Sequence, residues 1–563
     1  MTLEDQRLEA SEKRTENWHR WGPYLSERQW GTVREDYSPG GENTWGYLSH
    51  DQARSRAFRW GEDGLLGICD RQCRLCFSVA LWNGNDPILK ERLFGVTGPE
   101  GNHGEDVKEL YYYDDSTPTH SWMRATYKYP QCEYPYAELV EENSKRGLQD
   151  PEFEIEDTKA FDDNCYFDVV ATYAKATPDD ILIDVTITNC GPKKASIHVL
   201  PQFFFRNTWT WQCTDEGCTA RPSARDLGGV IETNHETLGK FFVACESIAP
   251  DPADDSRWVF CDNETNSKLH PDMPSEGEYY KDAFHRLIVD SEEAAINPKK
   301  YGTKFAAYHQ WELAAGESRS IRLRMAASKQ SWTDNSKNAA EKMHALAFNE
   351  SFGATIEARK QEADDFYASR IDAGLSEERK AIMRQSYAGL LWTKQFYHYV
   401  VDTWLKGDPN GMPIADGRND GRNSSWRHLF NREVVSMPDK WEYPWYAAWD
   451  LAFHMVPVAQ IDIEFAKSQM LLFLREWYMH PSGQIPAYEW NLSDVNPPVH
   501  AWGVWQVYKA TGPPEKRDKV FLARCFQKLL LNFTWWINRK DPNGRNIFAG
   551  GFLGLDNIGV FDR

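Results

Sequence analysis

Ile181-Leu-Ile-Asp-Val-Thr-Ile-Thr-Asn-Cys-Gly-Pro192 is the stretch that decides the architecture of the first half of the chain. Its apolar residues alternate with polar ones, which predicts a half-buried strand, and its last four residues are a turn signal. The same β-type pattern returns in three further segments: Ile197 and Val199, Phe203 to Phe205, and Ser320-Ile-Arg-Leu-Arg-Met325. Strands that follow one another through turns, without intervening helices, predict an antiparallel sandwich. We therefore expect residues 1–330 to form an N-terminal β-sandwich domain whose loops face an active site.

The second half of the chain has a helical pattern. Residues 331–372 contain two charged helical segments and are predicted to be a helical linker. Ser376, followed by Glu377 and Glu378, has the composition of a helix start, because a hydroxyl caps the first amides and acidic residues favour the positive end of the helix dipole. Further helices are predicted near 444–459, 463–479, 500–510 and 515–538. We expect residues 373–563 to form a helical domain.

Charge and hydropathy exclude several classes of partner. The net charge is −20 and the sequence pI is about 5.3, which disfavours nucleic acid, because its binding relies on Lys and Arg that neutralise phosphates. No apolar run approaches the ~18 residues that a membrane span needs. The first residues are charged and lack the apolar core of a secretion signal, so a cytoplasmic location is expected. The oligomeric state stays open.

Aromatic residues make up 14% of the chain, including 24 Trp. Their flat apolar faces suit the C–H faces of sugar rings, and the polar edges of Trp and Tyr donate hydrogen bonds. A large aromatic-rich core explains the same composition. Aromatic content alone therefore does not separate a sugar-binding protein from an ordinary large fold.

Eleven cysteines in a chain without a secretion signal indicate reduced thiols rather than a disulfide framework. Cys69, Cys73 and Cys76 are spaced at i, i+4 and i+7, which predicts one buried face of a helix and a structural role. The alternative is an iron–sulfur site, because thiolates at short spacing hold such clusters. That alternative predicts a brown, iron-containing protein.

Asp450 is the strongest candidate for a catalytic carboxyl group. It follows Trp441, Trp445 and Trp449, which are candidates for substrate binding, and opens an apolar helical run. Surroundings of apolar rings favour a protonated carboxyl, which is what a general acid in glycoside hydrolysis requires. The alternative is a solvated aspartate at a helix N-terminus, where the helix dipole favours the ionised form.

Other polar residues in the following loops are candidates for binding sugar hydroxyls. Glu489 lies between Tyr488 and Trp490, and Asp494 either binds a substrate or caps the next helix. Asp556 lies in a glycine-rich turn, where it either points into a cleft or stabilises the turn. No cofactor or metal is expected. A structural calcium ion is not indicated, since Asp408-Pro-Asn-Gly and Asp541-Pro-Asn-Gly do not complete an EF-hand loop.

The segment Ser436-Met-Pro-Asp-Lys-Trp-Glu-Tyr-Pro-Trp-Tyr-Ala-Ala-Trp-Asp-Leu-Ala-Phe-His454 resembles the acid-bearing block of glycoside hydrolase family 63, which includes mannosyl-oligosaccharide glucosidase and mannosylglycerate hydrolase-like enzymes. Further resemblance lies in Trp18 to Trp60, Ala80 to Phe94, Glu100 to Lys108, Asn207 to Trp211 and Phe552 to Gly559. It covers nearly the whole chain. It also makes Trp30 and Arg34 candidates for substrate binding.

The resemblance implies a β-sandwich followed by an (α/α)6 toroid, and hydrolysis with inversion of a terminal α-glucosidic or related α-glycosidic bond in an oligosaccharide or small glycoside. It assigns the general acid to Asp450 and places the general base beyond Arg563. Twelve helices of ~11–12 residues with connections need more than about 200 residues, so we expect a truncated chain with an incomplete toroid and impaired activity. The alternative function is a non-catalytic carbohydrate-binding protein.

Overall fold

The structure is a computed structural model that describes residues 1–28, 49–97, 106–147, 149–212, 220–248, 256–273, 275, 277–328, 330–334, 339–410, 414, 417–420, 422–440, 447–487, 492, 497–538 and 545. The chain divides into two compact units. Unit 1 comprises Met1–Gly31, Leu48–Trp392 and Asp408–Met412, and unit 2 comprises Thr32–Tyr47, Thr393–Gly407 and Pro413–Arg563.

Unit 1 is built on antiparallel strands. In chain order they are β1 Trp21–Gly22, β2 Ile68–Asp70, β3 Leu75–Trp82, β4 Gly95–Val96, β5 Asp106–Val107, β6 Leu110–Ser116, β7 Trp122–Pro130, β8 Tyr166–Thr177, β9 Asp180–Asn189, β10 Ala195–Phe205, β11 Ser223–Asp226, β12 Val230–His235, β13 Gly239–Cys245, β14 Arg257–Cys261, β15 Tyr301–Gly302, β16 Lys304–Leu313 and β17 Ser318–Ala327. One sheet has the order β1-β2-β3-β10-β16-β14 and the other β15-β11-β12-β13-β17-β9-β8-β7-β6, while β4 pairs with β5.

The helices of unit 1 are α1 Leu3–Glu12, α2 His50–Ser55, α3 Tyr136–Lys145, α4 Ala283–Ile288, α5 Ala340–Ala347, α6 Ser351–Ala368 and α7 Glu377–Trp392. Unit 2 contains the strands β18 Lys394–Val400 and β19 Phe430–Ser436, which pair antiparallel, and the helices α8 Val401–Lys406, α9 Ala448–Val458, α10 Ile463–Leu472, α11 Val499–Ala510 and α12 Lys519–Asn538.

The predicted alternation at 181–187 is confirmed as strand β9, with every apolar side chain of the alternating set buried. β9 lies between β8 and β17, and Ile183 is directly opposite Tyr173 on one side and Leu323 on the other. The predicted turn follows β9, where the Asn189 carboxamide oxygen accepts a hydrogen bond from Gly191 N at 2.9 Å. The two segments at 197–205 and 320–325 are strands β10 and β17.

The two large sheets of unit 1 pack through aromatic side chains. The rings of Phe77 on β3 and Tyr173 on β8 lie 6.0 Å apart, and those of Trp21 on β1 and Phe241 on β13 lie 5.4 Å apart. Each pair joins one sheet to the other in an edge-to-face arrangement, which aromatic rings favour. The predicted N-terminal sandwich is therefore present.

Helices α5, α6 and α7 belong to unit 1. Met343 on α5 packs with Val230 and Phe242, and Phe352 on α6 packs with Trp122. Trp392, the last residue of α7, stacks on Tyr113 with ring centroids 5.1 Å apart. The sequence placed the start of the helical domain at residue 373, whereas the compact units divide after Trp392, because α7 buries its apolar face on strand β6.

The predicted helix through Cys69, Cys73 and Cys76 is wrong. Cys69 lies on β2 and Cys76 on β3, directly opposite each other, and Cys73 lies in the turn between them. The Asp70 carboxylate fixes this turn by accepting hydrogen bonds from the amides of Gln72, Arg74 and Leu75. An aspartate that bonds the amides of the following residues competes with helix formation, which the cysteine spacing did not reveal.

The charged N-terminal segment forms α1 and docks on the sandwich. Thr2 and Asp5 form a capping box. Glu4 is fully buried, and its carboxylate accepts hydrogen bonds from Thr119 N at 2.8 Å and Ser121 Oγ at 2.8 Å. These bonds replace the water that a buried carboxylate loses, so the helix is held by polar rather than apolar contacts.

Buried ion pairs form a second polar layer in unit 1. Lys90 Nζ lies 2.7 Å from Glu109, Arg92 Nε lies 3.1 Å from Asp63, and Lys304 Nζ lies 2.9 Å from Glu91. Burial opposes ionisation of Glu91, but the ammonium of Lys304 prevails and lowers the pKa of Glu91 to about 2. All these side chains are almost completely shielded, so each charge depends on its partner.

Several large apolar side chains of unit 2 are exposed on α12, among them Phe526 at 58% and Ile537 at 60%. Trp502 and Trp505 on α11 and Phe453 on α9 are also exposed. The (α/α)6 toroid itself stays a prediction. Within the described ranges, no helix is long and apolar enough to cross a bilayer.

The Asp180–Arg324 pair provides a test of the buried ion pairs. Arg324 donates to both Asp180 oxygens at 2.8 Å, and Trp332 Nε1 donates to the same carboxylate. We expect Asp180→Ala to lower the free energy of unfolding of unit 1 by about 3–5 kcal/mol, because Arg324 stays buried without its partner. The matched change Glu312→Ala, at an exposed pair with Lys194, should cost less than about 1 kcal/mol. Equal losses in chemical denaturation would contradict this account.

Candidate active site

Helix α9 places Asp450 in its first turn, as the sequence predicted. The helix starts after Ala447, which is extended, and Ala448 N donates to Ala487 O at 2.9 Å. That bond satisfies one of the free amides at the helix start and ties it to the loop before α11. Asp450 is half-buried, at a position where the helix dipole favours an anion.

Trp449 connects the start of α9 to an aromatic row. Its ring lies 6.3 Å from that of Phe453, and Phe453 in turn lies 5.4 Å from Trp502 on α11. Trp449 is half-buried, while Phe453 and Trp502 are exposed on one side. The row leaves indole and phenyl faces open beside the helix that carries Asp450.

Close contact with α11 holds α9 in place. A Cβ atom on Gly503 would lie 3.1 Å from both the Cβ and the carbonyl oxygen of Ala452. The missing side chain therefore lets the two backbones approach, and Leu451 and Met455 of α9 are fully buried. The position of Trp449 and Asp450 depends on this contact.

A shallow cleft lies beside the start of α9, and its atom-free space of about 340 Å³ includes open solvent. The described residues that line it come from α9, α11, α12 and the intervening loops, and they are Ala448, Trp449, Ile485, Pro497, Pro498, His500, Asn532, Trp535 and Trp536. Three tryptophans in one small cleft provide flat faces that suit a sugar ring. Asp450 follows Trp449 directly but is not among these lining residues.

Helix α12 reaches the cleft through a glycine contact. Gly483 has φ of +92°, and a Cβ there would lie 2.3 Å from the carbonyl oxygen of Leu531. Asn532 Nδ2 also donates to Gly483 O at 2.8 Å. The loop is thereby held against the α12 backbone, which brings Trp535 and Trp536, with rings 5.5 Å apart, to the cleft.

Two histidines of unit 2 are neutral: His500, which is buried and lines the cleft, and His454, which is half-buried on α9. His500 Nε2 lies 2.9 Å from Met470 O, and burial lowers the pKa of His500 to about 4. On α9, His454 Nδ1 lies 3.1 Å from Ser436 Oγ, and burial lowers its pKa to about 4 as well. Both imidazoles therefore act at neutral pH as uncharged hydrogen-bonding groups that connect helices to neighbouring segments.

The candidates from the sequence fall into two groups. Trp449 lines the cleft, and Asp450 lies beside it. Nine others lie outside the described residues: Trp30, Arg34, Trp441, Trp445, Tyr488, Glu489, Trp490, Asp494 and Asp556.

Sequence reasoning did not single out the four polar or aromatic residues from α11 and α12 that line the cleft. Trp535 and Trp536 lie on a long helix with mixed apolar character, and His500 and Asn532 fall inside the helices predicted near 500–510 and 515–538. The adjacent tryptophans near the end of α12 were the available signal. Two bulky side chains on neighbouring faces of a helix do not fit a single buried stripe.

Comparison with known proteins gives these positions a context. Residues 443–551 match the model of the mannosylglycerate hydrolase MGH1-like glycoside hydrolase domain. The Saccharomyces cerevisiae protein YMR196W is 46% identical over 599 residues, which cover 100% of this chain and 54% of the yeast protein. The chain thus spans about half the length of this relative.

Similarity to solved structures is weak. A putative kojibiose phosphorylase from the human microbiome has a TM-score of 0.28 and 10% identity, over 87% of this chain and 56% of its own. A family GH92 alpha-mannosidase from Bacteroides thetaiotaomicron has a TM-score of 0.26 and 11% identity, over 70% of this chain and 53% of its own.

The contact between Gly503 and Ala452 can be tested with a matched pair of helix glycines. A Cβ at Gly389 on α7 would meet nothing within 4 Å, so Gly389→Ala should stabilise the protein by about 0.5–1 kcal/mol through helix propensity. We expect Gly503→Ala to give no such gain, because the new methyl group crowds Ala452. Equal gains in denaturant unfolding would show that α9 and α11 are not in close contact.

His500 predicts a pH dependence for the cleft. An unfolded histidine has a pKa near 6.5. Between pH 6.5 and 4 the unfolded chain therefore binds a proton that folded His500, with its pKa of about 4, does not bind. Stability thus falls as pH falls through this window, by about 2 kcal/mol from pH 7 to 5. We measure the stability of α11 at pH 7 and pH 5 from the hydrogen exchange of its amides. In His500→Gln the loss of stability between these two pH values should be smaller by about this amount. The exposed His428→Gln is the control, and an unchanged loss in His500→Gln would contradict the prediction.

The region around α9 combines a family match with a described cleft. Residues 443–551 contain Asp450 and all the described residues that line the cleft. This segment is similar to a glycoside hydrolase domain.

Proposed function

We propose that this chain is an inverting glycoside hydrolase that acts on a terminal α-glucosidic or related α-glycosidic bond, with Asp450 as its general acid. The observation that carries the proposal is the position of Asp450. It lies inside the segment that matches the glycoside hydrolase domain, in the first turn of α9, next to a tryptophan of the cleft.

The cleft supplies what sugar recognition needs. Trp449, Trp535 and Trp536 offer apolar faces for the C–H side of a pyranose ring, and Asn532 contributes an amide. The proposal requires that a sugar stacked on Trp449 places its glycosidic oxygen within reach of Asp450, the next residue on α9. A small, partly polar cleft favours a single terminal residue over an internal segment of a polymer.

Asp450 would protonate the oxygen of the departing sugar. The first turn of a helix favours the ionised carboxylate, while partial burial favours the protonated one, so substrate binding would shift the balance by displacing water. The second carboxyl group of an inverting pair stands ~6.5–9.5 Å from the acid and activates water. The proposal assigns that role to no described residue.

The test separates the acid from the base by the choice of substrate. An α-linked glucose disaccharide has a poor leaving group and needs the acid, whereas α-glucosyl fluoride does not. Azide in the buffer attacks C1 of the glucosyl fluoride, and fluoride leaves. Because azide has no proton to lose, it needs no general base and replaces the water that the base would activate. We expect β-glucosyl azide from α-glucosyl fluoride, identified by NMR, because inversion converts α to β.

Asp450→Asn should lower turnover of the disaccharide by about 10²–10⁴ while changing turnover of the fluoride with azide by less than about tenfold. Glu464→Gln, a carboxylate in the first turn of α10, is the control and should change neither rate. An α-configured azide product would contradict inversion, and equal losses of turnover on both substrates in Asp450→Asn would contradict the role of Asp450 as general acid. Sugar binding without any turnover would instead establish a non-catalytic carbohydrate-binding protein.

A further inference from the structure

We propose that Cys69, Cys73 and Cys76 form a binding site for one soft d¹⁰ metal cation, Zn²⁺ or Cu⁺, in the hairpin between β2 and β3 of unit 1. The inference concerns a different unit from the candidate active site and does not depend on the glycosidase proposal. It revises the sequence expectation of three separate structural thiols on a helix.

The three sulfur atoms converge. They all lie within 4.8 Å of one another, and Cys73 Sγ lies 3.5 Å from Cys76 Sγ. With Zn–S bonds of about 2.3 Å, two thiolates on a tetrahedral zinc stand about 3.8 Å apart. A cation between the three sulfurs therefore needs only small side-chain adjustments.

The hairpin itself directs the sulfurs to one point. Cys69 and Cys76 are directly opposite each other on β2 and β3, so their side chains leave the same face of the sheet. Cys73 has φ of +50°, a left-handed conformation that is uncommon for a residue other than glycine. Its amide donates to Asp70 O at 2.8 Å, which closes the turn and folds Cys73 back toward the pair.

Burial and charge favour thiolate ligands at this point. All three cysteines are at most 2% exposed, so water does not compete for the cation. The guanidinium of Arg206, itself 2% exposed, donates to Cys73 O at 3.2 Å and to Arg59 O at 2.8 Å. A buried positive charge next to the hairpin offsets the net negative charge of three thiolates on a Zn²⁺ or Cu⁺ ion.

The donor set selects the type of metal. Three thiolates in a dry site suit soft cations and exclude Ca²⁺ and Mg²⁺, which prefer oxygen. The two soft cations differ in coordination, because Cu⁺ is satisfied by three sulfurs while Zn²⁺ takes a fourth ligand. Each thiol that binds the cation releases its proton to solvent, so metal uptake balances in charge and protons.

The first experiment measures the metal that the purified full chain carries. Protein is prepared with reductant and without oxygen from cells given both zinc and copper, and metals are measured by inductively coupled plasma mass spectrometry. We expect one zinc or copper ion per chain, with the identity of the metal deciding between the two. Cys69→Ala, Cys73→Ala and Cys76→Ala should each lose it. Cys245→Ala, at a buried cysteine on β13, should keep it.

A second experiment avoids variants that fail to fold. Co²⁺ or Cu⁺ is added to metal-free wild-type chain, and a sulfur-to-metal charge-transfer band in the near ultraviolet should saturate at one equivalent. Absence of both bound metal and this band would overturn the proposal. So would a brown protein with bound iron, a Cys73–Cys76 disulfide in freshly isolated protein, or metal content unchanged in all three cysteine variants.

Discussion

The face-to-face packing of two antiparallel sheets is the constraint on which unit 1 depends. Phe77 against Tyr173 and Trp21 against Phe241 join the sheets, and the strands on either side must keep their register so that these rings meet. A shift of one residue would turn every buried side chain to the wrong face. Helices α5 and α6 pack on the outer face of the larger sheet, and α7 packs on its edge strand β6, which is why they belong to this unit rather than to the helical one.

Within unit 1, several buried polar side chains are paired with hydrogen-bonding partners. Glu4 holds α1 through hydroxyl and amide donors, and Asp180 joins Arg324 and Trp332 next to α5. The β2–β3 hairpin follows the same rule, because Asp70 bonds the amides of its turn and so brings three thiols together. Polar side chains of this kind fix the position of loops and helices, while apolar burial supplies the driving force.

Unit 2 uses close backbone approach instead. Gly503 lets α11 contact α9, and Gly483 lets a loop contact α12, so the tryptophans of two helices, α9 and α12, reach one cleft. The same helices leave apolar side chains exposed on α11 and α12. Asp450 lies at the junction of these features, at the start of the helix that carries Trp449. That arrangement places the segment that is similar to a glycoside hydrolase domain beside a cleft lined by tryptophans.

The sequence by itself determined strands β9, β10 and β17, the helical character of much of the second half and the place of Asp450 in the first turn of a helix, because hydrophobic period and turn residues are local signals. Only the tertiary structure decided that Cys69, Cys73 and Cys76 meet across a hairpin, that α7 packs on the sandwich, and that Trp535 and Trp536 share a cleft with Trp449. These depend on contacts between residues far apart in the chain, or on side chains such as Asp70 that override a spacing pattern. A periodicity argument considers one segment at a time and carries no information about which segments meet.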